Sequence, residues 1–120
     1  MKMGMEAESA ALSFLEGKGL ELLERNYRCP MGEIDLIMKD GDTLVFVEVR
    51  KRTNRDFGGA AASITDTKQK RIVNAARHYL GRLELAPPCR FDAVLYDEAG
   101  DAQWIRSAFF AQDGRSPHFR

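Results

Sequence analysis

The stretch from residue 33 to residue 50 constrains this chain most, because its side chains alternate twice about a turn. Residues 33–39 carry Ile34, Leu36 and Met38 on one face and Glu33, Asp35 and Ile37 on the other, the two-residue period of a strand. Asp40, Gly41 and Asp42 follow as turn residues,. Residues 43–50 alternate again, with Val45, Val47 and Val49 on one side and Leu44, Phe46, Glu48 and Arg50 on the other. The pattern is that of a β-hairpin.

Its register decides whether the two central acids meet. A loop over residues 40–43 pairs Lys39 with Leu44 and sets Asp35 directly opposite Glu48. Ile34, Leu36 and Met38 then oppose Val49, Val47 and Val45 in a continuous apolar face. A tighter turn still leaves the acids diagonal on one face. Opposed carboxylates repel by about a few tenths of a kcal/mol or more, so something must offset them. A hard divalent cation such as Mg²⁺ does so, since it takes one or two carboxylates, several waters and a substrate phosphate. Ordinary ion pairs with Arg50, Arg52 or a lysine are the alternative.

The remaining elements surround this hairpin. Ala7, Ala11, Leu12 and Leu15 recur at helical spacing over residues 5–18, and Gly19 follows as a stop,. Residues 20–27 read as a short strand. Residues 54–65, with Phe57-Gly58-Gly59, read as a loop,. A helix then starts at Thr65 or Asp66 and runs to Arg82, with Ile72, Ala76, Tyr79, Leu80 and Leu83 in one stripe and Lys68, Lys70, Arg71 and Arg77 mostly off it,. Pro87-Pro88 ends that region. Strands over residues 90–96 and 103–109 follow, joined by a turn at Ala99-Gly100,. With 120 residues, 44% of them apolar, the chain has the size and composition of one folded domain. That domain is expected over residues 8–110, between an N-terminal extension (1–7) and a flexible tail (111–120).

Several classes of function are disfavoured. The N-terminus is acidic soon after Met1, unlike a secretory signal, and no apolar run is long enough to span a bilayer, so a cytoplasmic protein without membrane contact is expected. Cys29 and Cys89 stand alone and the only histidines are His78 and His118, so structural-zinc spacing is absent. The net charge is zero, yet it is unevenly spread. Residues 1–48 hold five basic and ten acidic side chains, whereas residues 50–82 hold nine basic and two acidic ones. A basic middle suggests a footprint for a polyanion; a solvated helix face and loop is the plainer account.

Glu8, the run Gly32-Glu33-Ile34-Asp35-Leu36-Ile37 and the run Phe46-Val47-Glu48-Val49-Arg50 resemble the PD-(D/E)XK nuclease superfamily. Together with residues 24–28 (Glu-Arg-Asn-Tyr-Arg), Phe57-Gly58, Lys68 and Arg90-Phe91-Asp92, they resemble more closely the bacterial YraN family, which is similar to archaeal Holliday-junction resolvases. The likeness implies a restriction-endonuclease-like fold, three α/β/α layers about a mixed sheet. It implies that Asp35 and Glu48 ligate Mg²⁺ or Mn²⁺, with the Val49 carbonyl as a third contact and Glu8 approaching from the first helix. The superfamily's lysine falls at Arg50, which cannot shed its proton but can hold a phosphate oxygen. The four catalytic candidates are thus Glu8, Asp35, Glu48 and Arg50. Arg52, Arg55, Lys68, Lys70 and Arg71 are expected to contact a nucleic-acid backbone, DNA before RNA. Metal-dependent cleavage of branched or single-stranded DNA, by a symmetric dimer as in the resolvases, is the leading expectation. A binding module that does not cut and an adaptor for an acidic partner stand beside it. Glu33, Asp92 and His78 are read as surface, ion-pair and satisfied residues respectively, and Phe46 and Trp104 as core or half-core.

Overall fold

The computed structural model describes residues 2–51 and 64–111, with the side chains of residues 2–5 left aside. The order is α1 (Lys2–Gly17), β1 (Glu21–Cys29), β2 (Gly32–Asp40), β3 (Thr43–Lys51), α2 (Asp66–Leu80), β4 (Cys89–Tyr96) and β5 (Ala102–Phe109). Every element expected from the sequence is there, with ends shifted by a few residues. Helix α1 starts at Lys2 instead of residue 5, inside the stretch expected as an extension. Helix α2 starts where expected, because Thr65 caps it by accepting the Lys68 N–H,. The loop expected over residues 54–65 lies largely outside the described residues, as does the tail beyond Ala111, itself buried.

The strands make one sheet in the order β1-β2-β3-β4-β5. Only the β3–β4 pair is parallel, and α2 lies in the crossover that such a pair requires. The helices cover opposite faces. Ala11 and Leu15 of α1 pack with Leu36, Met38, Val45 and Val47, while Ile72, Val73 and Ala76 of α2 pack with Ile37, Leu44, Phe46 and Phe91. Since Val45 and Phe46 point oppositely from one strand, the two clusters mark three layers: helix, mixed sheet, helix. Among the described residues no helix is long and apolar enough to cross a membrane.

The hairpin keeps the expected register: Lys39 pairs with Leu44, Met38 with Val45 and Leu36 with Val47. The strands reach further into the turn than expected, so that Asp40 pairs with Thr43 and Gly41 takes φ +63°. One expectation fails. Ile34 joins the α2 cluster, away from Leu36 and Met38. Beside it, between the pairs Arg25–Leu36 and Tyr27–Ile34, Asn26 has φ +54°, a left-handed conformation that asparagine tolerates; the shift in the β1–β2 register itself lies further along, between Leu22 and Glu24. The regular pleat is interrupted where Asp35 stands.

Candidate metal centre

The β2–β3 ladder stops at Leu36 and Val47, and one residue beyond it the Asp35 Oδ2 accepts the Val49 N–H at 2.8 Å. A side chain thus substitutes for a ladder carbonyl. The strands end their pairing with two acids at the opening. Glu48, on β3, is 4% exposed, and Asp35, on β2, is part-buried; the direct pairing of the two expected from the register is not among the ladder pairs.

Glu8 reaches this opening from α1. The charge of Asp35 raises the proton affinity of the Glu8 carboxyl and of that of Glu48. Arg25 Nε stands 3.9 Å from Glu8 Oε1, too far for a hydrogen bond, and that buried oxygen has no hydrogen-bond partner among the described residues. Arg25 bonds instead to the Ser9 hydroxyl at 2.6 Å.

Two cations face Glu48. Lys68 Nζ, from the first turn of α2, is 3.4 Å from Glu48 Oε2, and Arg50 Nη1 is 4.0 Å from the same atom. The ion-pair alternative drawn from the sequence is therefore present in part, through a lysine on another element. Arg50 Nε is buried with no hydrogen-bond partner among the described residues.

Burial acts on all three acids, and the charge of Asp35 acts on the other two. Burial, then the charge of Asp35, pushes Glu48 up to about 7, against the opposing pull of Lys68 and Arg50. Asp35 is raised chiefly by burial, although the Val49 N–H and Lys68 favour its charged form. Glu8 is raised by burial and by Asp35, with Asn26 and Arg25 opposing. Such a group of carboxyls holds protons that a divalent cation would replace.

The donor set suits a hard cation. Among the described residues, no three or more His, Cys, Asp and Glu side chains converge tightly enough to hold an ion alone. The acids are instead neighbours in pairs, with Asp35 between. That arrangement still meets what Mg²⁺ asks, namely one or two carboxylates with waters and a phosphate completing the shell. The orphaned Glu8 oxygen is a further unused donor. Val49 meets Asp35 through its N–H, and its carbonyl was the third ligand implied by the resemblance.

Other candidates fall elsewhere. Lys68 was expected as a backbone contact and lies in the centre itself, whereas Lys70 and Arg71 are exposed on α2. Arg52 and Arg55 lie outside the described residues. Glu33 is exposed and pairs with Arg28 at 3.3 Å. His78 is hydrogen-bonded to the Tyr27 hydroxyl, and Phe46 is core. Asp92, fully buried, accepts from Arg90 Nε, Trp104 Nε1 and the Ser107 N–H, so it is an ion-pair acid. Sequence reasoning missed the left-handed backbone of Asn26 beside the Tyr27–Ile34 pair; an asparagine inside a strand between Arg25 and Tyr27 was the available signal.

A family model described as "Uncharacterised protein family UPF0102" matches residues 7–96, from α1 to the end of β4. The chain belongs to this family. It is the YraN family, so the likeness drawn from the motifs holds. A UPF0102 protein of Nitrosospira multiformis is 61% identical over 108 residues, covering 88% of this chain and 91% of the relative. One from Nitrosomonas eutropha is 58% identical over 106 residues, covering 88% and 91%. One from Cupriavidus metallidurans is 59% identical over 109 residues, covering 90% and 81%. The matched span contains Glu8, Asp35, Glu48, Arg50 and Lys68.

Proposed function

We propose that this chain is a metal-dependent endonuclease acting on DNA, with branched or single-stranded structures as its substrates, in the cytoplasm and as a homodimer. One observation carries the reading: buried Glu48 and part-buried Asp35 stand where the β2–β3 ladder ends, with Asp35 on the Val49 N–H, Lys68 and Arg50 beside Glu48 and Glu8 near enough for the charge of Asp35 to act on it. A structural ion pair has no need of three acids against one another, and perturbed acids gathered in one place are a mark of function.

Asp35 and Glu48 would hold Mg²⁺ or Mn²⁺, with Glu8 and the Val49 carbonyl adding contacts. The ion when bound supplies Lewis acidity and a water of lowered pKa. Arg50 binds a non-bridging phosphate oxygen and stabilises the charge that builds on it. Lys70, Arg71 and the basic residues of the segment after β3, Arg52 and Arg55, hold the backbone without reading bases.

A second reading has one observation in its favour. Arginine stands where the superfamily pattern has a lysine, so a protein that binds nucleic acid without cutting it would keep all these contacts. Duplex, single-stranded, flap and four-way DNA, with matched RNA, incubated with Mg²⁺ or Mn²⁺, separates the two. Cleavage lost in Asp35→Asn supports the nuclease. In single-turnover assays Arg50→Ala should slow cutting by roughly 10²-fold with little loss of affinity, and Arg50→Lys should retain it. Binding with no cleavage of any substrate, unchanged in Asp35→Asn, would establish the binding module.

A further inference from the structure

We propose that Lys68 is the resident counter-cation of this centre, a tethered ammonium that occupies the Glu48 carboxylate until a divalent ion displaces it, and so sets how tightly that ion binds. The inference rests on the metal-site reading above.

The geometry distinguishes Lys68 from the other cations. Its ammonium is 3.4 Å from Glu48 Oε2, and its charge also favours the ionised form of Asp35. Arg50 stands further off, at 4.0 Å, on the same strand as Glu48. Glu48 is 4% exposed, and a carboxylate so placed is costly without a partner. Lys68 comes from a different layer of the fold, and its backbone is fixed, since its N–H bonds to the Thr65 hydroxyl at the helix cap. Beyond that fixed backbone the side chain is a flexible four-carbon stem ending in a compact charge. It is about one-third exposed, so it has solvent into which to withdraw.

An ammonium and a divalent cation are alternative occupants of the same oxygens. They carry like charges and repel strongly at such close range. When the ion arrives, Lys68 must leave Glu48, and a phosphate oxygen of the bound substrate offers it a new partner. Before that, it keeps Glu48 and Asp35 from repelling each other without compensation. The stem length and flexibility suit this exchange; an arginine fork would hold on more rigidly.

The test measures metal affinity without any activity. Calorimetric titration of the full chain with Mn²⁺ should show binding about tenfold tighter in Lys68→Ala and Lys68→Gln, the scale of a unit charge removed some ångströms from a divalent ion in a solvated site. Lys68→Arg, which keeps the charge, should not gain. Lys39→Ala, which removes an equal charge at the far end of the hairpin, should match the wild type. Lys68→Gln retains most of the stem and serves if the alanine variant does not fold. Mn²⁺ bound by the wild type with equal or weaker binding in both neutral variants would overturn the inference and leave the metal site standing. No Mn²⁺ binding in the wild type or any variant would end both. Binding that appears only in the neutral variants supports the exchange in its strongest form.

Discussion

Two aspartates on this sheet stand in nearly the same local setting and have opposite fates. Asp92 and Asp35 each accept a backbone N–H from the neighbouring strand, from Ser107 and from Val49 respectively. Each lies next to a left-handed residue in an adjoining strand, Ser107 at φ +52° and Asn26 at φ +54°. Around Asp92 the remaining lone pairs are filled: Arg90 Nε lies 3.0 and 3.1 Å from its two oxygens, and Trp104 Nε1 lies 3.0 Å from one of them. Arg90 is itself held by Asp40 at 2.9 Å. Around Asp35, among the described residues, stand Glu8, Glu48 and the Lys68 ammonium. A buried carboxylate whose donors are all supplied is a strut. One left facing other acids is suited to a cation, and the contrast locates function more sharply than burial alone.

The contrast breaks most visibly under mutation. Asp92→Ala strands Arg90, the Trp104 N–H and the Ser107 N–H in the interior, and should cost about 3–5 kcal/mol, as for loss of one partner of a buried pair. Urea unfolding followed by circular dichroism measures it. A cost below that of an ordinary surface change would mean the Asp92 network is not the strut described.

The centre should reveal itself as pH changes. Glu48 holds its proton up to about 7 in the folded chain against an ordinary value of 4.5, so the folded state binds more protons than the unfolded state between those values. Stability of the metal-free chain therefore has a component that is full below about pH 4.5, falls as pH rises, and is spent above about pH 7. At about 1.36 kcal/mol per pH unit, that component is on the order of 3 kcal/mol. It should vanish in Glu48→Gln and shrink when Mg²⁺ is added. Parallel stability-against-pH curves for wild type and variant would remove Glu48 as the source.

The smallest effect concerns the exposed cations. Lys70→Ala with Arg71→Ala should weaken binding to all DNA sequences alike and flatten the salt dependence of log affinity by about 0.7 to 0.9 for each phosphate that is no longer neutralised. An unchanged slope moves the footprint off α2.

What could be read in the sequence follows physical rules of short range. The hairpin register was legible because two alternating strands and a turn constrain one another, and slippage by one residue would bury the wrong set. The start of α2 was legible because Thr65 is a cap by chemistry. The place of Lys68 was not. It lies 20 residues beyond Glu48 in sequence, and only the packing of α2 over β2 and β3 brings it back. Nor was the turn of Ile34 toward α2, since it breaks the two-residue alternation on which the reading of that strand rested. The three acids were legible as a set through the resemblance, whereas their mutual frustration is a property of burial, which a sequence does not display.

Gly32 begins the strand that bears Asp35, and a methyl group there would sit 2.5 Å from the Arg71 carbonyl oxygen of α2. Asp35 is three residues past this point on one element, and Lys68 is three residues before it on the other. The bare glycine is thus a bearing on which two layers of the fold rest against each other, backbone to backbone. Because neither surface is a side chain, neither can yield by changing rotamer. The spacing between carboxylate and ammonium is therefore gauged from outside the centre, and a single added carbon at residue 32 would act as a shim between the two halves of it.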